Sequence, residues 1–159
     1  MSVVLRALTY ATLFVMLVLI YVPARLLAWT GILRPGSFDL TQVAGIAIGS
    51  VGAALAAWCV YTFAVVGKGT PAPFDPPRRL VVGGPYRIVR NPMYIGADLA
   101  LIGAALVYRS IPLLLYTLLF TLIAHIFILV YEEPTLRRTF GDEYESYCRQ
   151  TGRWLPKLH

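Results

Sequence analysis

The amino-acid sequence predicts an all-α integral membrane protein with about four transmembrane helices, a cytoplasmic loop and a short helical C-terminal tail. Hydrophobic residues make up 58% of the 159 residues and charged residues only 14%, whereas soluble domains average about 45–50% and about 25%. Four apolar runs have a length suited to a bilayer, and most Lys and Arg residues lie in two polar stretches between or after them. This composition also excludes an intrinsically disordered chain.

The four apolar runs cover approximately residues 2–24, 41–66, 93–108 and 111–131, within one membrane domain that comprises residues 1–159. About 20 helical residues cross the hydrocarbon core of a bilayer, so each run is interpreted as a transmembrane helix. The third is about 24 Å long, and we expect it to be tilted, extended by flanking residues or not fully across. The first is too long for a signal peptide and lacks a following cleavage site, so we expect it to be retained.

Small residues recur along the second run. Gly45, Gly49 and Gly52 are spaced by four and three residues, which places them on one side of a helix. In lipid, such a face lets two helices approach closely. We therefore expect these glycines to pack against a neighbouring helix.

The polar parts of the chain are a loop over residues 67–92 and a tail over residues 132–159, which together hold ten of the 14 Lys and Arg residues. The positive-inside rule places both segments on the cytoplasmic side, and four spans then place both termini there. We expect a multi-pass protein of a bacterial inner membrane, in contact with membrane lipids. Nucleic acid is not an expected partner, because the basic residues follow the membrane topology.

An adjacent pair of carboxylates, Glu132 and Glu133, follows the fourth run. Carboxylates at the mouth of a membrane helix are costly unless they have partners or face a water-filled cavity, and Arg87 and Arg90 are the candidate partners. The alternative is that the pair merely ends the helix, with Glu133 pairing with Arg137 one turn later.

Asn91 and Pro92 stand where the third run begins. Asn is favoured at the N-cap, and Pro is favoured at the first helical position. The pair can therefore be explained as the start of a helix without any ligand. A helix N-terminus also presents backbone N–H groups to an anion, and Arg90 adds a planar fork for a carboxylate. Three tyrosines near these motifs could hold an adenine ring or a sulfonium cation, or could serve as membrane anchors. They are Tyr86, Tyr94 and Tyr131.

Two sequence blocks carry a resemblance to a known family. GPYRIVRNPMYIG is followed, after one hydrophobic hairpin, by YEEPTLRRTFGDEYESY. The chain thereby resembles, over residues 67–156, the membrane-embedded methyltransferases that include isoprenylcysteine carboxyl methyltransferase and phosphatidylethanolamine N-methyltransferase. The resemblance implies S-adenosylmethionine as the cofactor, bound by the loop and the acidic pair. Cofactor contacts are implied for Arg78, Arg79, Leu80, Val81, Tyr86, Asn91, Pro92, Met93, Tyr94 and Glu132. Arg90 is added to these contacts because its planar guanidinium can bind a carboxylate.

The two blocks combine features of both branches of this family. NPMY and YEEP are closer to the phospholipid branch, whereas LRRTFGDEYESY resembles the carboxyl-methylating branch, which usually has His where this chain has Asn91. In the eukaryotic prenylcysteine enzymes an Arg four residues before the acidic pair is implicated with the substrate. Ile128 occupies that position here, which argues against prenylcysteine as the substrate.

Three ionisable residues are candidate catalytic groups that would take a proton if the methyl acceptor is an amine: Glu133, His125 and Asp98. His125 lies deep in the fourth run, and ionisable groups inside a membrane are functional candidates. The alternative is that His125 forms a hydrogen bond with Asp98 or with a hydroxyl group. Methyl transfer from a sulfonium requires no metal, and we expect none.

The sequence therefore predicts an integral membrane S-adenosylmethionine-dependent methyltransferase that acts on a small lipophilic carboxylate or thiol. A phospholipid N-methyltransferase of the phosphatidylethanolamine type is one alternative. A non-enzymatic four-helix membrane transporter or assembly protein is another, but it does not explain the two spaced motifs. A transporter would also place its polar groups near the bilayer midplane, whereas here they gather at one face.

Overall fold

The computed structural model describes residues 3–32, 38–67 and 79–157. These residues are helical apart from turns, short irregular stretches and one isolated parallel bridge between Val89 and Gly152. The predicted all-α class is therefore confirmed. The described residues form seven α-helices, which are α1 Val3–Phe14, α2 Val22–Trp29, α3 Leu40–Thr62, α4 Pro92–Tyr108, α5 Ile111–Phe127, α6 Glu133–Phe140 and α7 Asp142–Gln150.

Three helical stretches are long and apolar enough to cross a membrane, namely Thr9–Trp29, Leu40–Gly67 and Ile111–Phe140. Helix α4 is apolar but shorter, with 17 residues and a length of about 26 Å. The chain is thus an integral membrane protein with three long helices and one short one, close to the predicted four.

Two helices extend beyond their predicted ends, because π-helical turns accommodate a proline. The first apolar run was expected to end at residue 24, and the tail was expected to start at residue 132. The helices instead continue to Trp29 and Phe140. Their π-helical segments, Val15–Tyr21 and Ile128–Glu132, each end two residues before a proline. Proline cannot donate a backbone hydrogen bond, and the wider turn absorbs the missing donor without ending the helix.

Helices α3 and α4 form the most extensive helix pair of the described chain. A Cβ atom at Gly52 would lie 2.6 Å from the carbonyl oxygen of Gly96, and one at Gly103 would lie 2.6 Å from that of Gly45. Because these distances leave no room for a side chain, the two backbones touch. The predicted packing role of Gly45, Gly49 and Gly52 is confirmed, and it fixes the end of α3 beside the start of α4.

One end of the helical bundle, here called the capped end, holds the starts of α3 and α5 and the end of α4. Asp39 caps α3 by accepting the backbone N–H of Gln42 at 3.2 Å, and the Gln42 side chain accepts the backbone N–H of Asp39 at 3.0 Å. Arg109 forms an ion pair with Asp39, and Gln42 donates to the carbonyl oxygen of Val107. The hydroxyl of Ser110 caps α5. Polar side chains thus join the three helices at this end.

Candidate functional site

At the opposite end of the bundle, here called the cleft end, a cleft lies between the end of α3, the loop before α4, the turn into α6, and α7. Its walls combine aromatic and apolar side chains with charged ones. The described residues that line it are Phe63, Leu80, Val81, Tyr86, Arg90, Asn91, Ile128, Glu132, Glu133, Leu136, Tyr144 and Tyr147. Six of the predicted cofactor contacts are among them, together with Glu133.

Tyr86 is held between α3 and α7. Its ring packs edge-on against Phe63, with 5.2 Å between the ring centroids, and its carbonyl oxygen accepts the hydroxyl of Tyr147 at 2.6 Å. Gly84, with φ of +56°, makes the turn that brings this ring inward, a conformation that suits glycine. Burial raises the pKa of Tyr86 well above its ordinary value. The phenol is therefore a neutral wall of the cleft and cannot serve as a base near neutral pH.

Glu132 lines the cleft from the π-helical segment that precedes α6. The hydroxyl of Tyr94, in the first turn of α4, donates to its Oε2 at 3.2 Å. A carboxylate offers about four acceptor positions in all, so Glu132 can accept further donors from a ligand. Helix α4 thereby orients the carboxylate that was expected to complete the cofactor site.

Glu133 is buried, with 6% of its surface exposed, and meets two guanidinium groups. Arg153 donates to both carboxylate oxygens, at 2.7 and 2.9 Å, and Arg90 approaches at 3.4 Å. This two-point geometry is the one in which a guanidinium binds a carboxylate most strongly. The hydrogen bonds to Glu133 raise the pKa of Arg153, so Arg153 stays charged.

The partners expected for Glu133 are therefore only partly those observed. Arg90 is present, whereas Arg87 is exposed and Arg137 pairs with Glu145 at 2.8 Å. The alternative in which the acidic pair merely ends a helix is wrong, because the chain continues as α6 and both carboxylates line the cleft.

Helix α4 begins as the sequence predicts, with Asn91 at the N-cap position and the buried Pro92 as its first residue. The side chain of Asn91 does not cap the helix, however, because its buried amide donates to the carbonyl oxygen of Arg153 at 3.3 Å. The backbone N–H of Arg90 donates to the carbonyl oxygen of Gly152 at 2.8 Å. The buried Nε of Arg90 has no hydrogen-bond partner among the described residues, while its Nη1 donates to Sγ of Cys148.

Of the remaining predicted cofactor contacts, those within the described residues are not among the residues that line the cleft. Met93 packs against the buried side chains of Cys59 and Val81. Arg79 is exposed and is not among the described residues that line the cleft. Arg78 lies outside the described residues.

Asp98 and His125 are likewise not among the described residues that line the cleft. Asp98 accepts the hydroxyl of Thr121 at 2.8 Å. The alternative in which His125 bonds to Asp98 or to a hydroxyl group named neither the observed partner nor its type, because Nδ1 of His125 accepts the indole N–H of Trp154 at 3.1 Å. In the described part of the chain, no group of three or more His, Cys, Asp and Glu side chains could hold a metal ion.

Several residues in the cleft wall or in contact with it were not predicted from the sequence. Arg153 is one of five basic residues in the tail, and nothing in its spacing singles it out. Tyr144 and Tyr147 did carry a signal, since they recur three residues apart and share one face of α7. Phe63 lies in a charge-free apolar run, where hydropathy cannot distinguish a cleft wall from a lipid-facing side chain.

Comparison with known protein families gives one match to a family model. The family described as phospholipid methyltransferase matches residues 40–143, from the start of α3 to the start of α7. The chain belongs to this family. The part that matches the phospholipid methyltransferase family contains the loop motif and the acidic pair, but it ends before most of α7 and before Arg153.

Two curated relatives from rice also resemble the chain. Both are named "Probable protein-S-isoprenylcysteine O-methyltransferase", one from Oryza sativa subsp. indica and one from Oryza sativa subsp. japonica, and each is 34% identical over 86 residues. The similarity covers 52% of this chain and 44% of each relative, so the match spans less than half the length of these proteins. No solved structure matches the chain.

Proposed function

We propose that this protein is an integral membrane S-adenosylmethionine-dependent methyltransferase that acts on a small lipophilic carboxylate or thiol. The observation that carries the proposal is the cleft, in which Tyr86, Asn91 and Glu132 come together from two separate sequence motifs. Membership of the phospholipid methyltransferase family supports the reaction class. The name of the rice relatives, an O-methyltransferase, supports an oxygen acceptor.

The groups in the cleft fit the chemistry of this cofactor, which carries a carboxylate, an ammonium, ribose hydroxyls, an adenine ring and a sulfonium. The guanidinium group of Arg90, a residue that lines the cleft, suits the carboxylate of the cofactor. Glu132 suits the hydroxyls or a cationic group, because it can accept several donors. The rings of Tyr86 and Tyr147, which line the cleft, offer faces for adenine or for the sulfonium.

The chain's contribution to the reaction is positioning. The bound cofactor supplies a methyl group activated by positively charged sulfur, and holding that group in line with the acceptor can supply about 7–11 kcal/mol in favourable cases. Phe63, Ile128 and Leu136 give the cleft an apolar wall, which excludes water from the acceptor and preserves its reactivity. This wall also suits a lipophilic acceptor that arrives from the bilayer.

A carboxylate acceptor is already deprotonated at neutral pH and needs no base, whereas a thiol reacts as its thiolate after it has lost its proton to water. For an amine acceptor, Glu133, Asp98 and His125 are the candidate catalytic groups that would take the proton. Each of them already accepts hydrogen bonds, and both oxygens of Glu133 are bound by Arg153. These existing partners favour an acceptor that needs no base.

A phospholipid N-methyltransferase is the second candidate, favoured by the family match over residues 40–143. Supplying a labelled methyl donor with lipophilic carboxylates, lipophilic thiols and phosphatidylethanolamine vesicles separates the two candidates. A carboxylate product is a methyl ester that releases labelled methanol in alkali, whereas a methyl thioether and an N-methylated lipid are stable to the same treatment.

We further propose that the cleft and both termini face the cytoplasm of a bacterial cell, where the cofactor is made. The basic residues that support this orientation flank the cleft in the loop and the tail, among them Arg79, Arg87, Arg137, Arg138 and Arg149. Basic segments of this kind resist translocation across the membrane.

The test of the proposed function is calorimetric titration of S-adenosylhomocysteine into the purified protein in detergent. We expect saturable binding to the wild type and a loss of at least about tenfold in affinity for Glu132→Ala, because a charged hydrogen-bonding group at the ligand is removed. Glu143→Ala is the matched control, since Glu143 is an exposed carboxylate of α7, and its affinity should equal that of the wild type.

A well-folded wild type that binds no S-adenosylhomocysteine, in detergent and again in lipid nanodiscs, would contradict the proposal. The non-enzymatic transporter or assembly protein would then be the better interpretation.

A further inference from the structure

The segment 151–154 of the tail lies beyond the family match, yet it folds back onto the loop that lines the cleft. Gly152 forms a parallel bridge with Val89, and its carbonyl oxygen accepts the backbone N–H of Arg90 at 2.8 Å. The next carbonyl oxygen, of Arg153, accepts the amide of Asn91 at 3.3 Å. Three consecutive loop residues are therefore held by two consecutive tail residues.

The side chain of Arg153 adds a charged contact to this backbone pairing. Its guanidinium donates to both oxygens of Glu133, at 2.7 and 2.9 Å, and Glu133 retains 7% of its side-chain exposure. A buried carboxylate without a cationic partner is strongly unfavourable. The only other guanidinium that the described residues bring to Glu133 within ion-pair distance is that of Arg90, at 3.4 Å.

The position of the Arg90 guanidinium therefore depends on whether Arg153 is present. While Arg153 neutralises Glu133, Arg90 supplies no two-point contact to it. Nη1 of Arg90 lies 3.4 Å from Oε1 of Glu133 and donates to Sγ of Cys148, and Arg90 lines the cleft. Without Arg153, the charge of Glu133 would draw the guanidinium of Arg90 toward itself, because a buried carboxylate without a cationic partner is strongly unfavourable.

The indole N–H of Trp154 donates to Nδ1 of His125 at 3.1 Å. This bond joins the segment to α5. The tail is thus fixed at both sides of Arg153, which holds its guanidinium in place over Glu133.

We propose that Arg153 is a positioning residue of the cofactor cleft, which neutralises Glu133 and thereby leaves the Arg90 guanidinium to the cofactor carboxylate. This inference rests on the proposed function. Arg153 itself does not line the cleft within the described residues, so it acts through Arg90 and through its backbone contact with Asn91.

The experiment measures S-adenosylhomocysteine affinity by calorimetry for Arg153→Ala, Arg153→Lys and Arg149→Ala beside the wild type. We expect affinity to fall about tenfold in Arg153→Ala, because a charge-assisted two-point contact is lost, and about threefold in Arg153→Lys, which keeps the charge without the fork. Arg149→Ala is the matched control, an exposed Arg of the same tail, and its affinity should stay within twofold of the wild type.

A second-site variant distinguishes charge neutralisation from simple loss of tail structure. Glu133→Gln removes the charge that Arg153 neutralises, so the double variant Arg153→Ala with Glu133→Gln should recover most of the lost affinity. If the affinity of the double variant is no better than that of Arg153→Ala, or if Arg153→Ala binds as tightly as the wild type, the inference is wrong. Should Arg153→Ala fail to fold, the affinity of Arg153→Lys decides, and equality with the wild type would overturn the inference.

Failure of this inference and failure of the proposed function give different results. A wild type that binds no S-adenosylhomocysteine contradicts the proposed function. A wild type that binds, together with Arg153 variants that bind equally well, contradicts only the role of Arg153.

Discussion

The two ends of the helical bundle use charge in different ways. At the capped end, the ion pair of Arg109 and Asp39 joins side chains that remain 50% and 38% exposed. At the cleft end, Arg90 and Glu133 retain only 12% and 7% of their side-chain exposure. An exposed pair contributes about 0–1 kcal/mol, whereas buried charges carry a desolvation cost of several kcal/mol that only good partners offset.

The capped end can therefore be understood from stability alone, because water solvates the charged atoms that have no partner in the protein. The cleft end cannot, since replacing its buried ions with apolar side chains of similar size would often stabilise a protein. Perturbed, buried ionisable groups gather at functional sites. The difference supports the proposal that the cleft end is the cofactor site.

The largest expected effect is that of Glu133→Ala on the cleft end. It leaves the guanidinium groups of Arg90 and Arg153 without their shared carboxylate, and we expect the free energy of unfolding to fall by about 3 kcal/mol. Unfolding by titration with sodium dodecyl sulfate, followed by circular dichroism, measures this change. Glu145→Ala is the control, because it breaks the half-exposed pair with Arg137 and should cost less than about 1 kcal/mol. Equal losses in the two variants would remove the distinction between buried and exposed pairs.

A smaller effect is expected for Asp39→Ala at the capped end. The variant loses the N-cap of α3 and the ion pair with Arg109, and we expect a loss of about 1 kcal/mol. Asp39→Asn keeps a cap acceptor and should lose less than half as much. Both should bind S-adenosylhomocysteine as the wild type does. A clear change in the affinity of either variant would show that the two ends are coupled.

The smallest effect is expected for Arg109→Gly. Arg109 adopts φ of +49° at the end of α4, a left-handed conformation that costs a residue with a side chain about 1 kcal/mol relative to glycine. Glycine relieves that cost but loses the exposed ion pair with Asp39, which contributes about 0–1 kcal/mol. The two terms nearly cancel, so the free energy of unfolding should change by less than about 0.5 kcal/mol. A loss above 1.5 kcal/mol would mean that the capped end depends on its ion pair after all.

The sequence predicted those parts of the fold that follow from hydropathy and local geometry. The apolar runs, the start of α4 at Pro92 and the packing face of Gly45 and Gly52 all follow from patterns within a few turns of one helix. Arg90 was predicted as a partner of Glu133, but Arg153 could not be, because it lies 20 residues along the chain in a tail with several equivalent cations.

The structure also extends two helices beyond the predicted ends of their apolar runs. These helices continue past Pro23 and Pro134, because a proline ends a helix only if the neighbouring turn cannot widen. The observed partner of His125 is likewise neither Asp98 nor a hydroxyl group. The continuation of the last long helix to Phe140 lets the chain turn back and bring Trp154 beside α5, which no local pattern indicates.

The widened turn Ile128–Glu132 determines more than where a helix ends. An α-helix advances about 100° around its axis per residue, whereas a π-helical turn takes up one residue more. Every side chain after the turn is therefore rotated relative to a helical wheel drawn from Ile111 onward. The turn sets the angular phase of the helix, and with it which of the two adjacent carboxylates meets the tyrosine of α4 and which meets the arginine of the tail.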